Sequence, residues 1–190
     1  MVRFSLRPVG ILLCFLVFPT VALAENVRTP LDFASNCQLT KIFDGEAAAE
    51  WICEGFQDIP VWVSGGSSKF SVSYGVTADK EPAATQTLEP DNRPGRQVEW
   101  VLEDGEPVAT ILRWITRIDQ SLDPADAYRG EVLVVTQLGQ GQTCHIGYVD
   151  ALANRDPHQL ARDAANLLAG IWDCSQSPKL LGRGGRSLGF

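Results

Sequence analysis

Between Gln97 and Ile115 the side chains alternate around a tight turn, and this pattern commits the chain to antiparallel β-structure. Val98, Trp100 and Leu102 alternate with Gln97, Glu99 and Glu103, so one face is apolar and the other charged. Asp104-Gly105 follows, a pair suited to a two-residue hairpin turn in which both residues take positive φ. The return strand, Val108 to Ile115, has Val108, Thr110, Leu112 and Trp114 on one face. Ala109, Ile111 and Ile115 occupy the other, with Arg113 among them. A strand apolar on both sides is expected to be central and covered twice.

Two more hairpins flank this one. Ile59, Val61 and Val63 share a face, as do Phe70, Val72 and Tyr74, with Gly65-Gly66-Ser67-Ser68 between them. Pro60 cannot donate to a ladder, which predicts an edge strand there. Glu131 to Leu138 is nearly all apolar, Gly139-Gln140-Gly141 turns it, and Cys144, Ile146 and Tyr148 share a face on the way back. Before these, Glu25 to Asn36 reads as a loosely ordered leader. Gln38 to Phe43 reads as a strand ended by Asp44-Gly45, Glu46 to Glu50 as a helical turn, and Trp51 to Cys53 as strand again. Thr77 to Gly95 is poor in apolar residues, contains Pro82, Pro90 and Pro94, and is expected to be a long loop or flap.

One helix is signalled. Asp156 fits an N-cap, Pro157 the first helical position, and Gln159 the reciprocal partner of a capping box. Leu160, Ala164, Leu167, Leu168 and Ile171 recur at helical spacing, and Trp172 extends the stripe. The expected fold is α+β: a twisted, mostly antiparallel sheet built from hairpins, with the 157–172 helix packed on one face.

The first 24 residues carry the three parts of a secretory signal peptide. Arg3 and Arg7 form a basic start, Val9 to Phe18 an apolar run, and Ala22-Leu23-Ala24 a small-residue cleavage site. The run is too short to span a bilayer, which needs roughly 20 apolar residues. Cleavage after Ala24 leaves 166 of the 190 residues. These are expected to form one domain over 25–174 and a disordered, basic, glycine-rich tail over 175–190. Losing Arg3 and Arg7 takes the net charge from −7 to −9. Setting aside the tail's Lys179, Arg183 and Arg186 leaves the body near −12. Such a body does not suit nucleic acid, whose binding rests on neutralising phosphates, and favours a basic partner.

Cys37, Cys53, Cys144 and Cys174 remain, an even count that in an exported chain reads as two disulfides. Three pairings exist. Cys37–Cys53 with Cys144–Cys174 is preferred because each closes a local unit, worth roughly 3–4 kcal/mol apiece in the chain-entropy account. No two cysteines stand at zinc-site spacing.

Catalytic signatures are absent from the sequence. Cys144-His145 resembles a nucleophile and its base, but strand neighbours point to opposite faces and Cys144 belongs to an expected disulfide. His158 falls in the first helical turn and is expected to face solvent, and the two histidines do not match a metal motif. Asp123, Asp126 and Glu131 lack the alternate spacing of a calcium loop. Among 23 acidic residues no carboxylate pair stands out for glycoside chemistry. Of Trp51, Trp62, Trp100 and Trp114, the last two are expected in the core, and Trp62 is the candidate exposed binding aromatic. No catalytic, cofactor-binding or metal-ligating residue is assigned.

Three stretches, Trp51-Ile52-Cys53-Glu54-Gly55, then Glu99-Trp100 leading to Ala109-Thr110-Ile111-Leu112-Arg113-Trp114, then Cys144-His145-Ile146-Gly147-Tyr148-Val149-Asp150-Ala151, resemble in that order a family of small exported proteins of Gram-negative bacteria with no established activity. The resemblance implies the periplasm and brings no catalytic residues. In size, cysteine use and β content the chain is also similar to periplasmic lysozyme inhibitors, an analogy at the level of class. The expected function is a non-enzymatic periplasmic binding or accessory module whose partner is a basic periplasmic protein or an envelope glycan. The alternative is an envelope-glycan hydrolase using a carboxylate pair.

Overall fold

The computed structural model describes residues 26–44, 47–118 and 128–190. Residues 1–24, expected to be a signal peptide, the Asp44-Gly45 turn and the Asp123/Asp126 loop lie wholly or partly outside these residues. The fold is α+β, mostly antiparallel, with the helix packed on a sheet as expected. There are, however, two sheets rather than one. Strands β1 (Val27–Pro30), β6 (Asn92–Glu103), β7 (Glu106–Arg117), β8 (Tyr128–Gln137), β9 (Cys144–Asp150) and β10 (Lys179–Leu180) form a six-stranded sheet in that order. Strands β2 (Cys37–Phe43), β3 (Ala48–Phe56), β4 (Ile59–Gly66) and β5 (Phe70–Tyr74) form a four-stranded meander.

Period-2 alternation sorts the large sheet's side chains into two cores. Val98, Trp100, Leu112, Trp114, Val132 and Val134 pack against Val61, Val63, Val72 and Tyr74 of the small sheet. On the reverse face Val101, Ala109, Ile111, Leu133, Val135 and Ile146 pack against helix α1 (Pro157–Leu168). The protein is therefore three layers, with β7 and β8 covered on both sides as their apolar sequences require. Trp100 and Trp114 are fully buried.

Local chemistry explains several departures from expectation. Pro60 sits in an interior strand, because Glu54 and Gly55 bulge out of β3 opposite it. The bulge removes the demand for a donor, and the Pro60 carbonyl accepts from Gly75 N at 2.9 Å. Gln57 and Asp58 take φ of 49° and 60° in the β3–β4 turn, left-handed values that cost a side-chain-bearing residue energy and are not signalled in the sequence. Asp104-Gly105 does form its turn, with φ of 50° and 86°. The Ala48–Glu50 stretch is strand, not helix. The leader is ordered too: β1 pairs with β6, and Leu31 is buried.

The 77–95 segment is an ordered strap. Two 3-10 turns, Ala78–Lys80 and Pro82–Thr85, pack on β4 and β5. Glu81 is buried between them and accepts from Gly141 N at 2.8 Å, Thr143 N at 3.0 Å and Thr77 Oγ1 at 3.1 Å. Trp62 lies outside the inter-sheet core. Its side chain points away from Val61 and Val63 as the alternation requires, yet it is only 8% exposed, with its register neighbour Ser73 fully buried. Trp62 is thus no surface aromatic.

Helix α1 is capped by Asp156, whose side chain accepts from Gln159 N at 3.2 Å. The capping box is not closed, since Gln159 Nε2 donates to Asp163 instead. The helix ends at Leu168 rather than Trp172, and Gly170 turns the chain away with φ of 78°. Ala161, Ala164 and Ala165 are buried against the sheet, while Leu167 and Ile171 are exposed. Small side chains let the helix lie close, and this alanine face overlaps the expected leucine stripe without coinciding with it.

Both preferred disulfides form, Cys37–Cys53 across β2 and β3 and Cys144–Cys174 between β9 and the segment after α1. The face shared by Cys144 and Ile146 does not continue to Tyr148. A register shift in β9 breaks the alternation, so Ile146 joins the helix-side core and Tyr148 packs on the inter-sheet side. The tail is not disordered. Lys179 and Leu180 pair in parallel with Gly147 and Tyr148, Lys179 Nζ lies over the Trp172 ring, and Ser187 is buried. Ser187 is held by Asp150, which accepts from its backbone N at 3.1 Å and its Oγ at 2.9 Å. No described helix is long and apolar enough to cross a membrane.

Candidate functional site

The helix face of the large sheet is apolar under the C-terminal half of α1 and charged under its first turns. Alternation puts Glu99 of β6, Arg113 of β7 and Glu131 of β8 on this face. Arg28 of β1 stands in register with Glu99, and α1 brings His158 and Arg162 down onto them.

Glu99 is the centre. Its side chain is 5% exposed and is surrounded by donors. Arg162 Nε donates to Oε1 at 2.6 Å, Asn26 Nδ2 to Oε1 at 3.2 Å, and Arg28 Nε and Nη2 to Oε2 at 3.2 and 2.8 Å. Burial pushes the carboxyl up, but the hydrogen bonds and charges of Arg162 and Arg28 outweigh it, so it titrates below the ordinary glutamate value. Arg113 Nη1 donates to Glu131, and Arg113 Nη2 lies 3.0 Å from His158 Nε2. A guanidinium has no acceptor, so His158 Nε2 must accept and the ring is neutral with its proton on Nδ1. Burial holds the His158 pKa down; Glu99 raises it, and Arg113, Arg162 and Arg28 lower it again. His158 Nδ1 is buried without a partner, 3.9 Å from Glu99 Oε2. His158 is therefore half-buried over a carboxylate rather than facing solvent.

A cavity of about 330 Å³ opens beside this cluster. Arg28, Arg96, Glu99, Arg113 and His158 line it, with Ile111 and Leu133 among its lining residues. Its mouth is shaped by a bulge in which Gly95, Arg96 and Gln97 oppose Arg113 alone. A Cβ on Gly95 would fall 2.7 Å from the Arg113 carbonyl, so only glycine permits this approach. Arg96 is tied to Asp32 at 2.8 Å and is otherwise exposed.

The other candidates lie elsewhere. Cys144 and His145 diverge: Cys144 is in its disulfide on the helix side, while His145 lies edge-on to Trp114 between the sheets. Burial pushes His145 down to about 3, and its Nδ1 meets Tyr148 Oη at 2.9 Å. Trp51 forms an aromatic cluster with Phe33 and Phe70 at the sandwich edge, at centroid distances of 4.9 and 6.5 Å. Phe33 is 39% exposed. No cluster of three potential metal ligands occurs among the described residues.

The charged cleft was missed in the sequence because Glu99 reads there as one polar residue on a solvent face. The available signal was Arg113, a lone charge on the apolar face of a strand covered twice. Compared with protein-family models, with curated proteins and with solved structures, the chain matches none.

Proposed function

We propose that this is an exported periplasmic protein that binds an envelope glycan without turning it over. Two disulfides fit an oxidising compartment, as does the signal-like start of the sequence. The observation that carries the binding reading is the state of Glu99. It is ionised and all its neighbours are donors, so it has no proton to give and its acceptor sites are occupied. Glu131 is engaged by Arg113. Glycoside hydrolysis needs one protonated and one free carboxyl across the bond to be cut, and this cleft offers neither. What it offers is fixed donors around a small cavity, the make-up of a recognition site.

The test is to mix the mature protein with purified cell-wall sacculi and follow both co-sedimentation and release of soluble reducing ends. Retention on the sacculi without release is expected. Release that disappears in Glu99→Gln would replace the binding reading with the hydrolase.

A further inference from the structure

We infer that the cleft between Arg28, Arg96, Arg113 and His158 is a recognition site for a carboxylate carried on a small ligand. The inference rests on the binding reading above and names its ligand class.

Three observations converge on it. The first is charge. Arg28, Arg96 and Arg113 line the cavity against one acid, Glu99, and His158 is neutral, in a protein of net charge −7. The second is donor supply. Arg28 spends its Nε and Nη2 on Glu99, and Arg113 spends one N–H on Glu131 and one on His158. Each guanidinium has five N–H donors, so both retain some that no acceptor among the described residues takes up. They are held in place by the acids behind them, so little order is lost when a ligand is bound. Paired guanidinium donors suit the two oxygens of a carboxylate. The third is shape. The cavity reaches down to Ile111 and Leu133, which are nearly fully buried and close its floor. Its 330 Å³ is at the small end of ligand sites, about right for a sugar acid or the last residue of a peptide.

The experiment is an amide-resolved NMR titration of the mature protein with D-glucuronate, D-glucose, N-acetylalanine and inorganic phosphate. Glucuronate or N-acetylalanine is expected to shift Gly95, Arg96, Gln97 and His158, and glucose is not. Tighter binding of one acid over the other identifies the carboxylate as that of a sugar or of a chain end. Arg113→Gln is expected to weaken binding at least about tenfold. Arg96→Gln alters a side chain 83% exposed, which the fold tolerates, and is expected to weaken it several-fold. Equal shifts with glucose, tighter binding of phosphate than of either acid, or unchanged binding in both folded variants would overturn the inference. Sacculus retention without carboxylate binding would sink this inference alone, whereas glycan cleavage would sink the binding reading.

Discussion

The two faces of the six-stranded sheet are built from the same strands and behave as different materials. The inter-sheet face is continuous and apolar from Val98 to Val134, and its one histidine, His145, is kept neutral by burial. The helix face changes character along α1. Below the chain that leaves its C-terminal end are Val135, Cys144 and Trp172, clamped by the Cys144–Cys174 bridge. Gln137 adds to the clamp, donating to the Trp172 and Gln142 carbonyls and accepting from Gly170 N. Below the N-terminal end, the same face carries Glu99 and its arginines. One end of the layer is thus fixed covalently and by apolar contact, the other by ions beside a cavity. A binding site needs the second kind of end, where polar groups remain within reach of solvent.

Breaking the covalent end should have the largest effect. Cys174→Ser removes a bridge across 30 residues and is expected to cost roughly 3–4 kcal/mol, or about 10 °C in Tm. It should leave Cys144 as a free thiol. Urea denaturation with thiol titration measures both. A loss below about 1 kcal/mol would mean that Gln137 and the apolar contacts hold this end unaided.

Acid sharpens the contrast between the faces, since the chain's two histidines lie one on each. His145 has a folded pKa near 3 against 6.5 unfolded, so the unfolded state binds the proton first. Stability is therefore full above pH 6.5 and falls as the pH drops towards 3, by about 2 kcal/mol at pH 5. His158 is also lowered and contributes in the same direction, but less, because it is partly exposed and Glu99 opposes the shift. Glu99 has the same sign but a lower window: its stabilisation holds above the ordinary glutamate value and is lost as the pH falls below it. His145→Gln should flatten most of the slope between pH 7 and 5, and His158→Gln a smaller part. Equal effects in denaturation series across this range would mean that the two faces are equally screened from water.

The smallest change addresses the ionic end alone. Asp156→Ala removes the N-cap and is expected to cost about 1 kcal/mol. Hydrogen exchange should speed up in the first turn of α1, with the Gly170 and Trp172 amides unaffected. Faster exchange at both ends would show that the helix responds as one rigid body.

How much of this was legible depends on whether the signal was local. The Asp104-Gly105 hairpin, the Asp156 cap and the buried Trp100 and Trp114 follow from turn chemistry, capping and alternation within a few residues. Trp62 shows the limit. Its face was readable, but its exposure was not, because burial at one strand position is set by neighbours that alternation does not specify. The tail misled in the same way: its glycines and basic charges suggest disorder, and the buried Asp150–Ser187 contact that anchors it spans 37 residues.

What the chain's own residues reveal is the alternating strands, the start of the helix, a preference among the cysteine pairings and an acidic composition. Each is set by side-chain period, backbone preference or charge, which act over short stretches or as sums. The tertiary structure alone decided that the strands divide into two sheets, that the strap and tail are bound down, and that Arg28, Glu99, Arg113, His158 and Arg162 meet. The reason is that a buried carboxylate is stable only where donors converge on it, and here they arrive from β1 and α1, more than sixty residues away on either side of Glu99 in the chain.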